Sequence, residues 1–80
     1  MAAIYVLDVP EFLPLVRGSS EAGLQVEGPT HGYYRIRAPR IVLRRKALGL
    51  KYPIWFGALT GGLEGRIAQF DRDTLEVVDA

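Results

Sequence analysis

The clearest pattern along the chain is alternation of apolar and polar side chains in short runs. Leu24-Gln25-Val26-Glu27 and Tyr33-Tyr34-Arg35-Ile36-Arg37-Ala38 both alternate with period two, as half-buried strands do. Gly28-Pro29-Thr30-His31-Gly32 between them is a loop of hairpin length. Symmetric joining sets Glu27 opposite Tyr33, Val26 opposite Tyr34, Gln25 opposite Arg35 and Leu24 opposite Ile36. Leu24, Val26, Tyr34 and Ile36 then share one face, and Gln25, Glu27, Tyr33, Arg35 and Arg37 share the other.

Further elements follow from the same pattern. Ile4 to Asp8 is β-prone and predicts an opening strand. Pro10 suits the first turn of a helix, but Pro14 lacks the amide a continuing helix needs, so a short or 3₁₀-like helix ending at Gly18 is expected. Arg40-Ile41-Val42-Leu43 fits either a strand or a helix start. Leu43 to Leu50 suggests a short helix stopped by Gly49 in a left-handed cap, with a strand as the alternative. Gly61-Gly62 suits the positive φ angles of a two-residue hairpin turn, which would pair Thr60 with Leu63, Ala58 with Gly65 and Phe56 with Ile67. Asp71-Arg72-Asp73 makes a polar turn before a last alternating strand, Thr74 to Val78. The expected fold is α+β, mainly β: a small, strongly bent antiparallel sheet or an SH3-like barrel with one or two short helices.

Eighty residues supply one core and hence a single domain over 1–80. There is no cysteine, which excludes a disulfide framework and thiolate chemistry and suits a cytoplasmic setting. The amino terminus shows no basic leader, and the longest apolar stretch, Tyr52 to Leu63, is shorter than the roughly 20 helical residues that span a bilayer. Neither export nor a membrane partner is expected.

Charge changes the picture more than composition does. Residues 28–63 carry Arg35, Arg37, Arg40, Arg44, Arg45, Lys46 and Lys51 with no carboxylate, while the blocks on either side each carry a net charge of minus three. Catalytic signatures are missing: His31 is the only histidine and has no carboxylate in its own block, and no serine or threonine sits in a nucleophile elbow. Gly57, Gly61, Gly62 and Gly65 match neither a dinucleotide fingerprint nor a Walker loop, and Asp71, Asp73 and Glu76 lack the rest of a calcium loop. No metal or cofactor is expected.

The combination that remains is basic residues interleaved with tyrosine. Tyr33, Arg35, Arg37, Arg40, Arg44, Arg45 and Lys46 form the expected partner-binding set, because arginine pairs with phosphate or carboxylate and an exposed tyrosine offers a stacking surface. An acidic protein or a nucleic acid is the expected partner of such a non-enzymatic module. The competing expectation is a basic face neutralised by the chain's own acidic ends. Two others are an apolar ligand pocket lined by Trp55, Phe56, Tyr34 and Tyr52, and a homodimer formed through an open strand edge.

Overall fold

The computed structural model describes residues 1–80, and its elements follow the polarity pattern closely at the centre of the chain. Strand β1 (Ala2–Leu7) leads through a 3₁₀ turn at Pro10–Phe12 into helix α1 (Leu13–Glu21). Strands β2 (Gln25–Thr30), β3 (Tyr33–Ala38) and β4 (Arg40–Arg44) follow, then two short helices, α2 (Arg45–Leu48) and α3 (Tyr52–Phe56). Strands β5 (Leu63–Glu64), β6 (Arg66–Phe70) and β7 (Thr74–Val78) complete the chain. The α+β, mainly β class is the observed one. The strands form two antiparallel sheets, ordered β2-β3-β1-β5 and β4-β7-β6, and no barrel closes.

The two sheets are halves of one strongly bent surface. The chain leaves the first sheet for the second at two single-residue breaks, Pro39 between β3 and β4 and Gly65 between β5 and β6. Both breaks lie at the same level: Ala38 and Glu64 flank the start of β1, and Arg40 and Arg66 flank Val78 at the end of β7. The ends of the chain meet there too, where the Met1 ammonium pairs with Asp79 at 3.1 Å. Pro39 has no amide to donate to a ladder. Gly65 has φ +111, and a Cβ on it would lie 2.4 Å from the Val78 carbonyl oxygen. Inside the bend, one core joins Ile4, Val6 and Ile36 of the first sheet to Ile41, Leu43, Leu75 and Val77 of the second, with Leu15 and Trp55 contributed by helices.

The β2–β3 hairpin keeps the expected division of faces but not the expected register. Val26 lies opposite Ile36, Glu27 opposite Arg35 and Gln25 opposite Arg37. This is a slip of two residues, so every side chain keeps its face. Strand β2 runs on past Glu27 through an irregularity to Thr30, and the turn is only His31-Gly32, with φ +53 and +82. Those angles are the type I′ pair, so the tight primed turn is in this hairpin and not at Gly61-Gly62.

The carboxy-terminal hairpin expected at Gly61-Gly62 is absent. Pro53 sits in the first turn of α3, where its fixed φ favours a helix, and Trp55 and Ala58, three residues apart, are both buried. Successive turns carry the chain from Ile54 to Gly62. Leu63 and Glu64 then pair with Ile4 and Ala3 of β1, and Ile67 pairs with Val77 of β7 instead of Phe56. Gly61 and Gly62 serve this docking in different ways. The Gly62 carbonyl accepts the Tyr5 amide at 3.1 Å, with Gly62 at φ +97. A Cβ on Gly61 would lie 2.2 Å from the Tyr5 carbonyl oxygen and 2.9 Å from the Tyr33 ring.

The helices differ from expectation in length for local reasons. Helix α1 passes through Gly18, where the missing side chain admits Leu48 of α2: a Cβ there would meet Leu48 Cδ2 at 2.2 Å. Pro14 falls in the first helical turn, since the 3₁₀ turn before it makes a separate start. The stretch from Arg40 resolves as strand and then helix, and Gly49 closes α2 in the expected left-handed cap at φ +70.

Trp55 is fully buried, stacks edge-on to Phe70 at 5.8 Å and donates its indole N–H to the Asp71 carbonyl at 2.6 Å. Trp55→Ala should therefore cost about 3–5 kcal/mol, a large part of the stability of so small a domain. Gly61→Ala should destabilise more than Gly62→Ala, because the first meets backbone while the second bears only the left-handed penalty of about 1–2 kcal/mol. Thermal unfolding of the three variants tests both statements, and a Gly61→Ala protein more stable than Gly62→Ala would contradict the second.

Candidate basic and aromatic surfaces

The fold disperses the seven residues of the basic set. Tyr33, Arg35 and Arg37 stand together on the outer face of the first sheet, as their spacing requires. Arg40 and Arg44 stand on the outer face of β4 in the second sheet, with Val42 between them. Arg45 turns inward from α2, and Lys46 is exposed on the same helix.

Ion pairing separates these cations further. Arg35 Nη2 lies 3.4 Å from Glu64, Arg37 Nε 2.7 Å from Glu27 and Arg40 Nε 2.6 Å from Glu76. Arg45 is 14% exposed: its Nε donates to the Arg72 carbonyl at 2.7 Å and its Nη1 to the Leu50 carbonyl at 3.0 Å. Its guanidinium also lies 4.3 Å from the centre of the Tyr52 ring and 3.6 Å from the Asp73 carboxylate. Arg45 thus clamps α2, the start of α3 and the β6–β7 turn together. The carboxylates that meet these four arginines all come from the acidic blocks on either side. Arg44, Lys46 and Lys51 have no carboxylate partner.

Those three cations form one exposed corner around α2. Lys46, Lys51, Tyr52, Gly49 and Pro53 line an open concavity of about 540 Å³ with Arg45 and Leu50. Lys46 and Arg44 line a second of about 230 Å³ with Asp73 and Thr74. Lys51 and Tyr52 were not part of the expected set. The charge run alone could have flagged Lys51, but only the left-handed turn at Gly49 brings it back towards Lys46.

The outer face of the first sheet holds a different kind of site. Tyr5, Glu27, Thr30, His31, Tyr33 and Arg35 line a cleft of about 380 Å³. The Tyr5 hydroxyl donates to Glu64, and the Arg35 guanidinium lies 5.8 Å from the centre of the Tyr5 ring while reaching the same carboxylate. Arg35 Nε is sealed from solvent without an acceptor. His31, which has no carboxylate in its own block, shares this cleft with Glu27, from one residue outside that block.

Trp55, at the centre of the expected aromatic pocket, is enclosed in the core and its N–H is satisfied. Phe56 instead packs on the surface, 5.7 Å from Phe70 and 6.5 Å from Tyr52. Strand β6 is an open edge with Ile67 exposed beside this aromatic ridge, and its irregularity between Ile67 and Gln69 is of the kind that blunts an edge. No helix is long and apolar enough to cross a membrane.

The Tyr5–Glu64–Arg35 group makes stability depend on pH at both ends. Donation from the Tyr5 hydroxyl, and then the Arg35 charge, hold Glu64 below the usual carboxylate range. The same hydrogen bond, donated by the hydroxyl to Glu64, raises Tyr5 above the usual phenol range. The depressed Glu64 contributes stability that is present above the unfolded carboxylate range and lost as pH falls through its lower folded value. The raised Tyr5 contributes stability that is present below the ordinary phenol range and lost as pH rises through its folded value. Glu64→Gln should flatten the acid limb of the stability profile and Tyr5→Phe the alkaline limb, as denaturant titrations across pH would show. Comparison with protein families and with curated proteins finds no match to this chain.

Proposed function

We propose that this domain is a non-enzymatic interaction module that docks an acidic partner through the corner formed by Arg44, Lys46 and Lys51 beside Tyr52. The observation that carries the reading is the pattern of pairing. Four of the seven cations in the carboxylate-free block are held by the chain's own carboxylates, and the three left over are contiguous around α2. Charges satisfied within the fold gain little from a partner, whereas lysine and arginine without an ion pair stay available to phosphate or carboxylate, even with Asp73 lining the concavity beside Arg44 and Lys46. The corner is also concave, with Tyr52, Pro53 and Leu50 lining it beside the lysines.

Binding to a single-stranded oligonucleotide and to polyglutamate, measured against salt concentration, tests the proposal. About three phosphate contacts on a single strand would give a slope near −2 in log K against log salt. Arg44→Glu with Lys46→Glu should abolish binding and leave the fold intact, because neither side chain has a hydrogen-bonded or ionic partner. Arg45→Glu should instead unfold the α2–α3 corner. Undiminished binding by the double variant, or no binding of either polyanion by the native chain, would overturn the proposal.

A further inference from the structure

We propose that the cleft on the outer face of the first sheet is a nucleotide site, with the base stacked on Tyr33 and the phosphate directed to His31 and Thr30. The cleft shares no residue with the Arg44–Lys46–Lys51 corner, so the two proposals stand or fall separately.

The walls of the cleft are pre-positioned. The Tyr33 ring rests against Gly61, whose missing Cβ leaves the room, and the ring stays substantially exposed at 39% for the whole residue. Tyr5 and Arg35 are locked to one another through Glu64. Aromatic rings fixed on an open sheet face are the standard platform for a nucleobase, because every base has a stacking surface. The volume of about 380 Å³ lies within the range of small-ligand sites.

The polar groups are arranged for an edge and a tail. Glu27 and Arg35 are direct cross-strand partners, so an acceptor and a donor stand side by side in the cleft. Glu27 lies 2.7 Å from Arg37 Nε, and the Arg35 guanidinium meets Glu64 through Nη2. A base edge presents a donor and an acceptor in the same adjacent way. Thr30 and His31 lie at the hairpin end, where the hydroxyl and imidazole can donate to phosphate oxygens.

The backbone at His31 is the second, independent pointer. It is the one non-glycine residue with positive φ, at +53, in a turn position that glycine would occupy without strain. Strained residues that persist at such positions point to use of the side chain.

Titration of the isotope-labelled protein with 5′-AMP, GMP, CMP and UMP, with ribose 5-phosphate as control, tests the site by amide chemical shifts. At least one nucleotide should shift Tyr33, Arg35 and His31, weakly dependent on salt, and ribose 5-phosphate should not. Tyr33→Ala should weaken binding about fivefold or more. His31→Gly should weaken it as well while raising the melting temperature, since glycine relieves the turn. A short single-stranded oligonucleotide in parallel distinguishes a free nucleotide from a residue within a strand: tighter binding at the same amides assigns the strand, and equal binding the free nucleotide. No shifts around the cleft with any nucleotide, equal shifts with ribose 5-phosphate, or unchanged affinity in both variants would overturn the proposal. Loss of salt-dependent polyanion binding with nucleotide shifts retained would remove only the Arg44–Lys46–Lys51 reading.

Discussion

The close approach of Gly65 to the Val78 carbonyl is the constraint on which the architecture depends. With Pro39 across from it, it defines the line along which both flanking strands fold over, β3 into β4 and β5 into β6. Between them β1 begins and β7 ends, so an inner strand of one sheet gives way to the central strand of the other at the bend. A flat sheet of these strands would leave one apolar face exposed. Bending encloses Ile4, Ile36, Ile41, Leu75 and Val77 in a single core that α1 and Trp55 then cover.

The same bend sorts the charges. The acidic blocks at the two ends of the chain are brought against the basic middle by strand pairing: Glu27 reaches Arg37 across β2–β3, Glu64 reaches Arg35 across β1, and Glu76 reaches Arg40 across β7–β4. Exposed pairs of this kind add little stability each. Their effect is to pair four of the seven cations of the basic block and leave Arg44, Lys46 and Lys51, around α2, without an ion pair. Arg45 is the exception within that corner, spent on carbonyls and on the Tyr52 ring.

Much of the central hairpin was legible from residue order alone. Period-two alternation assigned the faces of Val26, Ile36, Arg35 and Arg37 correctly, because a slip of two residues leaves every side chain on its own side. The register itself was not legible, since it depends on where the turn forms, and His31-Gly32 gives a two-residue turn that histidine in a left-handed conformation conceals. The Gly61-Gly62 pair misled for the opposite reason. Two glycines suit a primed turn, yet here one answers a close contact with β1 and the other a positive φ before docking. The contact at Gly61 is with residues about thirty and more than fifty positions away, which no local pattern encodes.

For the candidate surfaces the balance is similar. The sequence by itself determined the mainly β class, the apolar and polar faces of β2, β3 and β7, the left-handed cap at Gly49 and the presence of a carboxylate-free basic block, because each follows from local periodicity, backbone preference or simple charge count. Only the tertiary structure decided which of those cations are paired, that Trp55 belongs to the core, and that Tyr5, Glu27, His31, Tyr33 and Arg35 line one cleft. Those outcomes depend on strand order and on the bend at Pro39 and Gly65, which bring together residues from separate segments by contacts that have no signature in neighbouring sequence.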